Sequence, residues 1–323
     1  MKRFVAFAVA AVLADFPIVQ SAGADTWPNE PIHIVVPFTP GSATDVVTRI
    51  VAEAMSQNLG QPIIVDNRPG AGGTIGAGQV ARAEPSGYTL LANSSAHTVN
   101  PAIYPDLTFD TRVDLRAITM LAQQPNILVA APSKGWKTAA DYAQAATAEP
   151  GKLTYATAGT GSGTHMNAEK FRLSAQIGVV HVPYRGTPEA LRDTMNGETD
   201  LCFCPIVAAL PMIKQGRVVA LANGSPRRSS VLPDLATTEE QGFPDSGYTF
   251  WIGLFTPAST PRTVIDRLNA EAKRALESPE VRARLHGLGT DPSPTTSQEL
   301  ERIIKWEIRD NIELAKKAAI RLQ

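Results

Sequence analysis

The feature that most constrains this chain is an alternation of short β-branched runs with longer segments of helical spacing. PIHIVVPF reads as a strand, SATDVVTRIVAEAMSQNLG as a helix stopped by Gly60, QPIIVDN as a strand, TIGAGQVARAE as a helix and GYTLLAN as a strand. Such a rhythm places helices over a parallel sheet, with ligand sites at the carboxyl ends of the strands. It restarts at NILVAAP (126–132), where LTYATA, GVVHVPY, TDLCF and RVVALAN follow as strands with helical segments between them. This second block closes in the Pro/Gly-rich LPDLATTEEQGFPDSGYTF. FWIGLFTPAST is then one further strand, and PRTVIDRLNAEAKRALESPEVRARLHGLG and SQELERIIKWEIRDNIELAKKAAI are terminal helices. Val264, Leu268, Ala272 and Leu276 give the first of these one buried stripe. With 323 residues and 43% hydrophobic content, each half can have its own core, and two such halves imply a cleft between them.

The balance of 30 Lys+Arg against 31 Asp+Glu, with no run of like charge, leaves no field to attract nucleic acid or a membrane surface. Lys2 and Arg3, an apolar stretch from Phe4 to Leu13 and then Ala22-Gly23-Ala24 have the form of a secretory signal peptide over residues 1–24, which predicts a mature start at Asp25. The apolar stretch is too short to span a bilayer and is followed by Asp15, so a retained anchor is not expected. No cysteine near the cleavage site could carry a lipid. The only cysteines, Cys202 and Cys204 in DLCFCP, share one face of a strand at the edge of disulfide geometry, and a two-cysteine metal site lacks partners; two buried free thiols are expected.

The chemistry-bearing segments are loops. Phe38-Thr39-Pro40-Gly41-Ser42-Ala43-Thr44-Asp45 joins the first strand to the first helix. Gly41 permits a conformation other residues avoid, prolines stiffen the approach, and Ser42, Thr44 or Asp45 can cap the helix. The helix start then offers free N–H groups and the positive end of a dipole, suited to a carboxylate, although the same residues also make an ordinary turn. Ser94, Ser95 and Ala96 end the strand GYTLLAN in the same small, hydroxyl-rich way. In the second half, LTYATA leads into Gly159-Thr160-Gly161-Ser162-Gly163-Thr164-His165 and another helical pattern. Two such loops facing each other could hold an acidic ligand from both sides with amides and hydroxyls and no obligatory arginine.

Other chemistries fit less well. RPGAGGTIGAG places Ile75 where the third glycine of a dinucleotide fingerprint belongs, so Gly72, Gly73 and Gly76 are read as close-packing positions and no cofactor is expected. Ser162 lies between glycines, but Thr160 and Thr164 occupy the positions that a nucleophile elbow reserves for glycine. His33, His97, His165, His181 and His286 form no metal-binding pair, and no metal is expected. His181 in VVHVPY reads as a structural strand histidine. His165 is the histidine nearest a loop of interest, as cap or as ligand contact.

Taken together, WPNEPIHIVVPFTPGSATD, LGQPIIVDNRPGAGGTIGAGQVARAEPSGYTLL, PGKLTYATAGTGSGTH, HVPYRG, LPMIKQGRVVALANGS, LPDLATTEEQGFP and LNAEAKRAL run in order over nearly the whole mature chain. In them the chain resembles the periplasmic solute-binding proteins of tripartite tricarboxylate transporters, the Bug-type receptors. The resemblance implies an α/β, two-lobed periplasmic-binding-protein-like fold (type II) with a ligand cleft between the lobes. Residues 25–122 with 248–323 would form one lobe and 123–247 the other. It implies a periplasmic receptor without catalysis or cofactor that closes on a small organic acid and delivers it to the transporter's membrane subunits, working as a monomer. Phe38 to Asp45, Ser94 to Ala96 and Thr160 to His165 would bind the carboxylate, while Asp200 and Cys204 would face the ligand and help select it. Family loops often read P-P-G-G where Thr39-Pro40-Gly41-Ser42 stands, and Cys204 replaces a commonly polar residue; both departures leave the ligand's identity open. The rival readings are a secreted hydrolase acting through Ser162 or Ser95, and a sensor subunit for a membrane kinase.

Overall fold

The computed structural model describes residues 27–320, and the signal peptide expected over residues 1–24 lies outside them. The first block folds as β1 (Ile32–Val36), α1 (Ala43–Leu59), β2 (Ile63–Asn67), α2 (Thr74–Ala81), β3 (Thr89–Ser94), α3 (Ala96–Ile103) and β4 (Leu115–Gln124). The second follows as β5 (Asn126–Ala130), α4 (Ala139–Ala148), β6 (Thr154–Thr157), α5 (Gly163–Ala175), β7 (Val180–Pro183), α6 (Thr187–Asn196), β8 (Leu201–Pro205), α7 (Ile206–Lys214) and β9 (Val219–Asn223). The chain ends in β10 (Phe250–Pro257), α8 (Arg262–Glu277), α9 (Pro279–Gly287), β11 (Asp291–Pro292) and α10 (Ser297–Lys317).

Two separate sheets result. One has the order β11-β4-β10-β3-β1-β2, the other β7-β6-β8-β5-β9. The expected βαβ rhythm gives the parallel pairs β1 with β2 and β3, and β6 with β7 and β8. The remaining strands pair antiparallel: β10 between β3 and β4, and β5 between β8 and β9. The chain leaves the first sheet between β4 and β5 at Pro125 and returns between β9 and β10.

Period-two patterning divides each sheet's side chains between two layers. Ile32, Ile34 and Val36 of β1 pack under α1, α8 and α9 with Val47, Leu268 and Leu285, whereas Val35 turns to the other face with Val80 of α2 and Ile304 of α10. In the second sheet Leu128, Leu201 and Phe203 meet Tyr142 and Phe171 under α4 and α5. Ile127, Val129, Cys202 and Cys204 face Leu191 of α6 and Leu210 of α7.

Three findings differ from the sequence reading. Cys202 and Cys204 are joined as a disulfide and are not free thiols, because their Cα atoms stand 5.6 Å apart, inside the bridging range and closer than two residues of an ideal extended strand. The first terminal helix is broken into α8 and α9, since Ser278 leaves helical geometry to cap Val281 and Pro279 starts the next helix. The sequence also gave no clear sign of β4 or α3: LRAITMLAQQ mixes apolar spacings of both kinds, and α3 is short and contains Pro101.

Candidate functional site

The loops before α1 and α5 fold alike. Gly41 and Gly161 both adopt left-handed backbone, at φ +79° and +78°, which turns the chain into the helix. Ser42 and Ser162 cap the two helices, their Oγ atoms accepting from Asp45 N at 3.4 Å and His165 N at 3.2 Å. The third residue after each serine reaches back to hold the glycine: Gly41 N donates to Asp45 Oδ2 at 2.9 Å, and Gly161 N donates to His165 Nδ1 at 3.2 Å. Ser42 N and Ser162 N donate to Thr39 O and Gly159 O. At each helix start the first two helical N–H groups are left without a partner among the described residues: Ala43 and Thr44 in α1, Gly163 and Thr164 in α5.

Ser42, Ala43, Thr44, Ser162 and Thr164 converge on one small cavity between the sheets. Ser94 at the end of β3, Thr187 at the start of α6 and Pro205 just before α7 complete its polar and helix-start lining, with Phe38, Ala158 and Phe250 as apolar walls. No lining residue carries a charge. The helix starts therefore supply the electrostatics: dipole ends and unpartnered amides create a positive potential with no cation inside. At about 10 Å³ the cavity has room for about one water, so the two sides stand closed on each other.

Direct contacts join the sides. Tyr104 Oη donates to Thr160 O at 2.8 Å, and Thr39 Oγ1 donates to Glu189 Oε2 at 3.2 Å. Gly72 is pressed against the Thr160 carbonyl so closely that a Cβ would lie 2.3 Å from that oxygen. The close-packing reading of RPGAGG thus describes a contact across the cleft.

The remaining sequence-selected residues support the site or lie away from it. Asp45 is buried and bound by Arg49 Nε at 2.9 Å and Asn67 Nδ2 at 3.0 Å, so its carboxylate is spent on holding the loop. Pro40 is exposed, while Ser95 and Ala96 are buried at the start of α3. His165 stacks on His181 at 4.0 Å, and burial pushes both imidazoles down to about 3, so His165 stays neutral and able to accept from Gly161 N–H. His181 Nε2 is paired with Thr157 Oγ1 at 2.6 Å. Ser162 Oγ is paired with Thr164 Oγ1 at 2.9 Å rather than with either ring.

Asp200 and Cys204 do not line the cavity. Asp200 precedes β8, at the strand's opposite end, where Lys134 Nζ and the N–H and hydroxyl of Thr154 bind it. Burial works to raise its carboxyl, but these donors outweigh it and hold the group below the ordinary aspartate range. Cys204 is fully buried in the layer under α6 and α7. Sequence reasoning missed Ala158, Thr187, Pro205 and Phe250. Gly186-Thr187-Pro188 is a legible helix start that could have flagged Thr187, whereas Phe250 is brought to the cavity only by the return of β10.

Two sheets covered by helices, with helix starts converging on a cleft between them, define a two-lobed periplasmic-binding-protein fold. The chain belongs to the tripartite tricarboxylate transporter family receptors, whose profile it matches over residues 47–320. It is 35% identical over 284 residues to a protein of Pseudomonas sp. strain P51 encoded between tcbD and tcbE, covering 88% of this chain and 84% of that one. Among solved structures, Rpa4515 of Rhodopseudomonas palustris with adipate superposes with a TM-score of 0.88 at 30% identity, covering 91% of this chain and 99% of that one. MatC of the same organism, with bound malate, gives 0.85 at 32% identity, with 89% and 99% covered. Members of this family are periplasmic substrate-binding receptors. No helix among the described residues is long and apolar enough to cross a membrane.

Proposed function

We propose that this chain captures a small organic carboxylate by closure of its lobes and presents the closed form to the membrane subunits of a tripartite tricarboxylate transporter. The observation that carries this reading is the pair of matching helix starts, each with two unpartnered N–H groups, around a cavity free of charged side chains. A carboxylate supplies the acceptors these groups need, and a carboxylate oxygen shared between Ser42–Thr44 and Ser162–Thr164 would tie the lobes together. Adipate in Rpa4515 and malate in MatC are ligands of this chemistry. The closed population then rises by the ligand's differential affinity for it. The receptor acts in the periplasm as a monomer after removal of residues 1–24, and performs no catalytic step.

The test is thermal melting of protein that has been unfolded and refolded to strip carried-over ligand, against aliphatic and aromatic acids and their esters and amides. A matching acid at about 100 times its Kd adds roughly 2.7 kcal/mol of stability, and its neutral derivative adds none. Equal shifts from acid and ester would refute the anion site, and chemical turnover of the acid would refute the receptor reading.

A further inference from the structure

Gly186 caps α6, whose first residue, Thr187, lines the carboxylate cavity. The backbone gives no reason for a glycine there: at φ −174° and ψ 170° it is extended, a conformation open to any residue. Gly197 at the other end of the same helix differs, since it adopts left-handed backbone at φ +80° with open space around it. What excludes a side chain at 186 is Thr39 of the opposite lobe. A Cβ built on Gly186 would collide with Thr39 Oγ1 and lie 3.1 Å from Thr39 Cβ and 3.3 Å from Glu189 Oε2. The threonine hydroxyl therefore fills the place where an N-cap side chain would stand, and from there it donates to Glu189 Oε2 at 3.2 Å. Thr39 does not line the carboxylate cavity, so within the loop Phe38 to Asp45 its hydroxyl serves this lobe contact.

Glu189 is the third residue of α6, the position of the acid in a capping box. Helices α4 and α10 build that box within one segment, from Thr138 with Asp141 and from Thr296 with Glu299. In α6 the acid comes from the second lobe and the hydroxyl from the first. We propose, on the lobe-closure reading above, that Thr39, Gly186 and Glu189 form an interlobe latch. It is a helix cap divided between the lobes, completed only on closure, and it positions the α6 start at the cavity without touching the ligand. In the open form the Thr39 hydroxyl and the Glu189 carboxylate are both hydrated, so their contact adds to ligand affinity and not to the stability of either lobe. Glycine at 186 admits the hydroxyl, whereas a larger residue there holds the lobes apart.

The probes are adipate, malate and benzoate, titrated calorimetrically into stripped wild type, Thr39→Ala, Thr39→Ser, Gly186→Ala and the double variant of Thr39→Ala with Gly186→Ala. The quantity read is the Kd of the acid that wild type binds most tightly. Thr39→Ala weakens it about fivefold, and Thr39→Ser keeps it within about twofold because the hydroxyl remains. Gly186→Ala weakens it about tenfold, as overpacking confined to the closed arrangement. In the Thr39→Ala background, where Oγ1 is gone, the same glycine substitution costs no more than about threefold, so the two changes are not additive. The ligand-free urea midpoint does not fall in any variant, and Gly186→Ala raises it by restricting the unfolded chain. Additive effects, or unchanged affinity in Gly186→Ala, overturn the latch and leave carboxylate capture standing. A ligand-free midpoint that falls along with affinity makes the contact part of the fold and overturns the latch as well. Failure of all three acids to bind wild type overturns capture itself, and the latch with it.

Discussion

Gly163 offers a way to separate closure from folding. It is the first residue of α5 in the second lobe, and its backbone is compatible with alanine, since its φ lies outside the left-handed region. A Cβ built there would lie 2.4 Å from Ser95 Oγ and 2.9 Å from Phe250 Cδ2, both parts of the first lobe's sheet and its following loop. The hydroxyl can rotate away, but the ring is buried at 4% exposure and has little freedom to yield. Overpacking of this kind costs about 1–3 kcal/mol. The cost falls only on the closed arrangement, so Gly163→Ala should weaken carboxylate binding by roughly 5- to 150-fold. The open lobe should be unharmed or slightly favoured, because alanine improves on glycine in a helix by up to about 1 kcal/mol. Calorimetric affinity, urea unfolding without ligand and small-angle scattering with saturating ligand together test this. Unchanged affinity with an equally compact bound particle would refute the argument, and a large loss of ligand-free stability would show that the contact belongs to the fold and not to closure.

Tyr104→Phe removes the 2.8 Å bond to Thr160 O across the cleft and should weaken binding by about fivefold with little change in unliganded stability; equal affinity would show that the bond is not retained on binding. Asp200→Asn should cost about 1–3 kcal/mol of stability, measured by urea unfolding, without changing the order of preference among acids, because its partners Lys134 and Thr154 lie away from the cavity. Burial raises the Glu307 carboxyl to about 7, against the lowering effect of its Trp251 and Thr98 donors, so the folded chain retains a proton that the unfolded chain would release from about 4.5. That stabilisation is complete below about 4.5 and is lost as pH rises through about 7, so the stability of wild type relative to Glu307→Gln should fall by up to about 3 kcal/mol across this window; a constant difference would refute it.

The local signals were legible because they depend on neighbours in sequence. Strand and helix alternation, the glycines at 41 and 161 and the serine caps at 42 and 162 are each dictated by a few consecutive residues, so the two capped helix starts could be picked out as candidate sites from the letters alone. The same letters could not say which donors remain free. Gly41 N–H is taken by Asp45 and Gly161 N–H by His165, which leaves Ala43, Thr44, Gly163 and Thr164 as the available amides of the two helix starts. Nor could they give direction along a strand's surroundings: Asp200 and Cys204 belong to the same short segment as the cavity residue Pro205, yet one is tied to Lys134 at the far end and the other is buried under α6 and α7. The strand compression that brings Cys202 and Cys204 within bridging distance is likewise a property of the folded backbone. The cleft itself was decided by tertiary structure, since β10 returns Phe250 from far along the chain to the first lobe, and the lobes meet through pairs as distant in sequence as Thr39 with Glu189. Local sequence fixes which groups a loop can present, but only the packing of distant segments determines which of them remain unpaired and what they face.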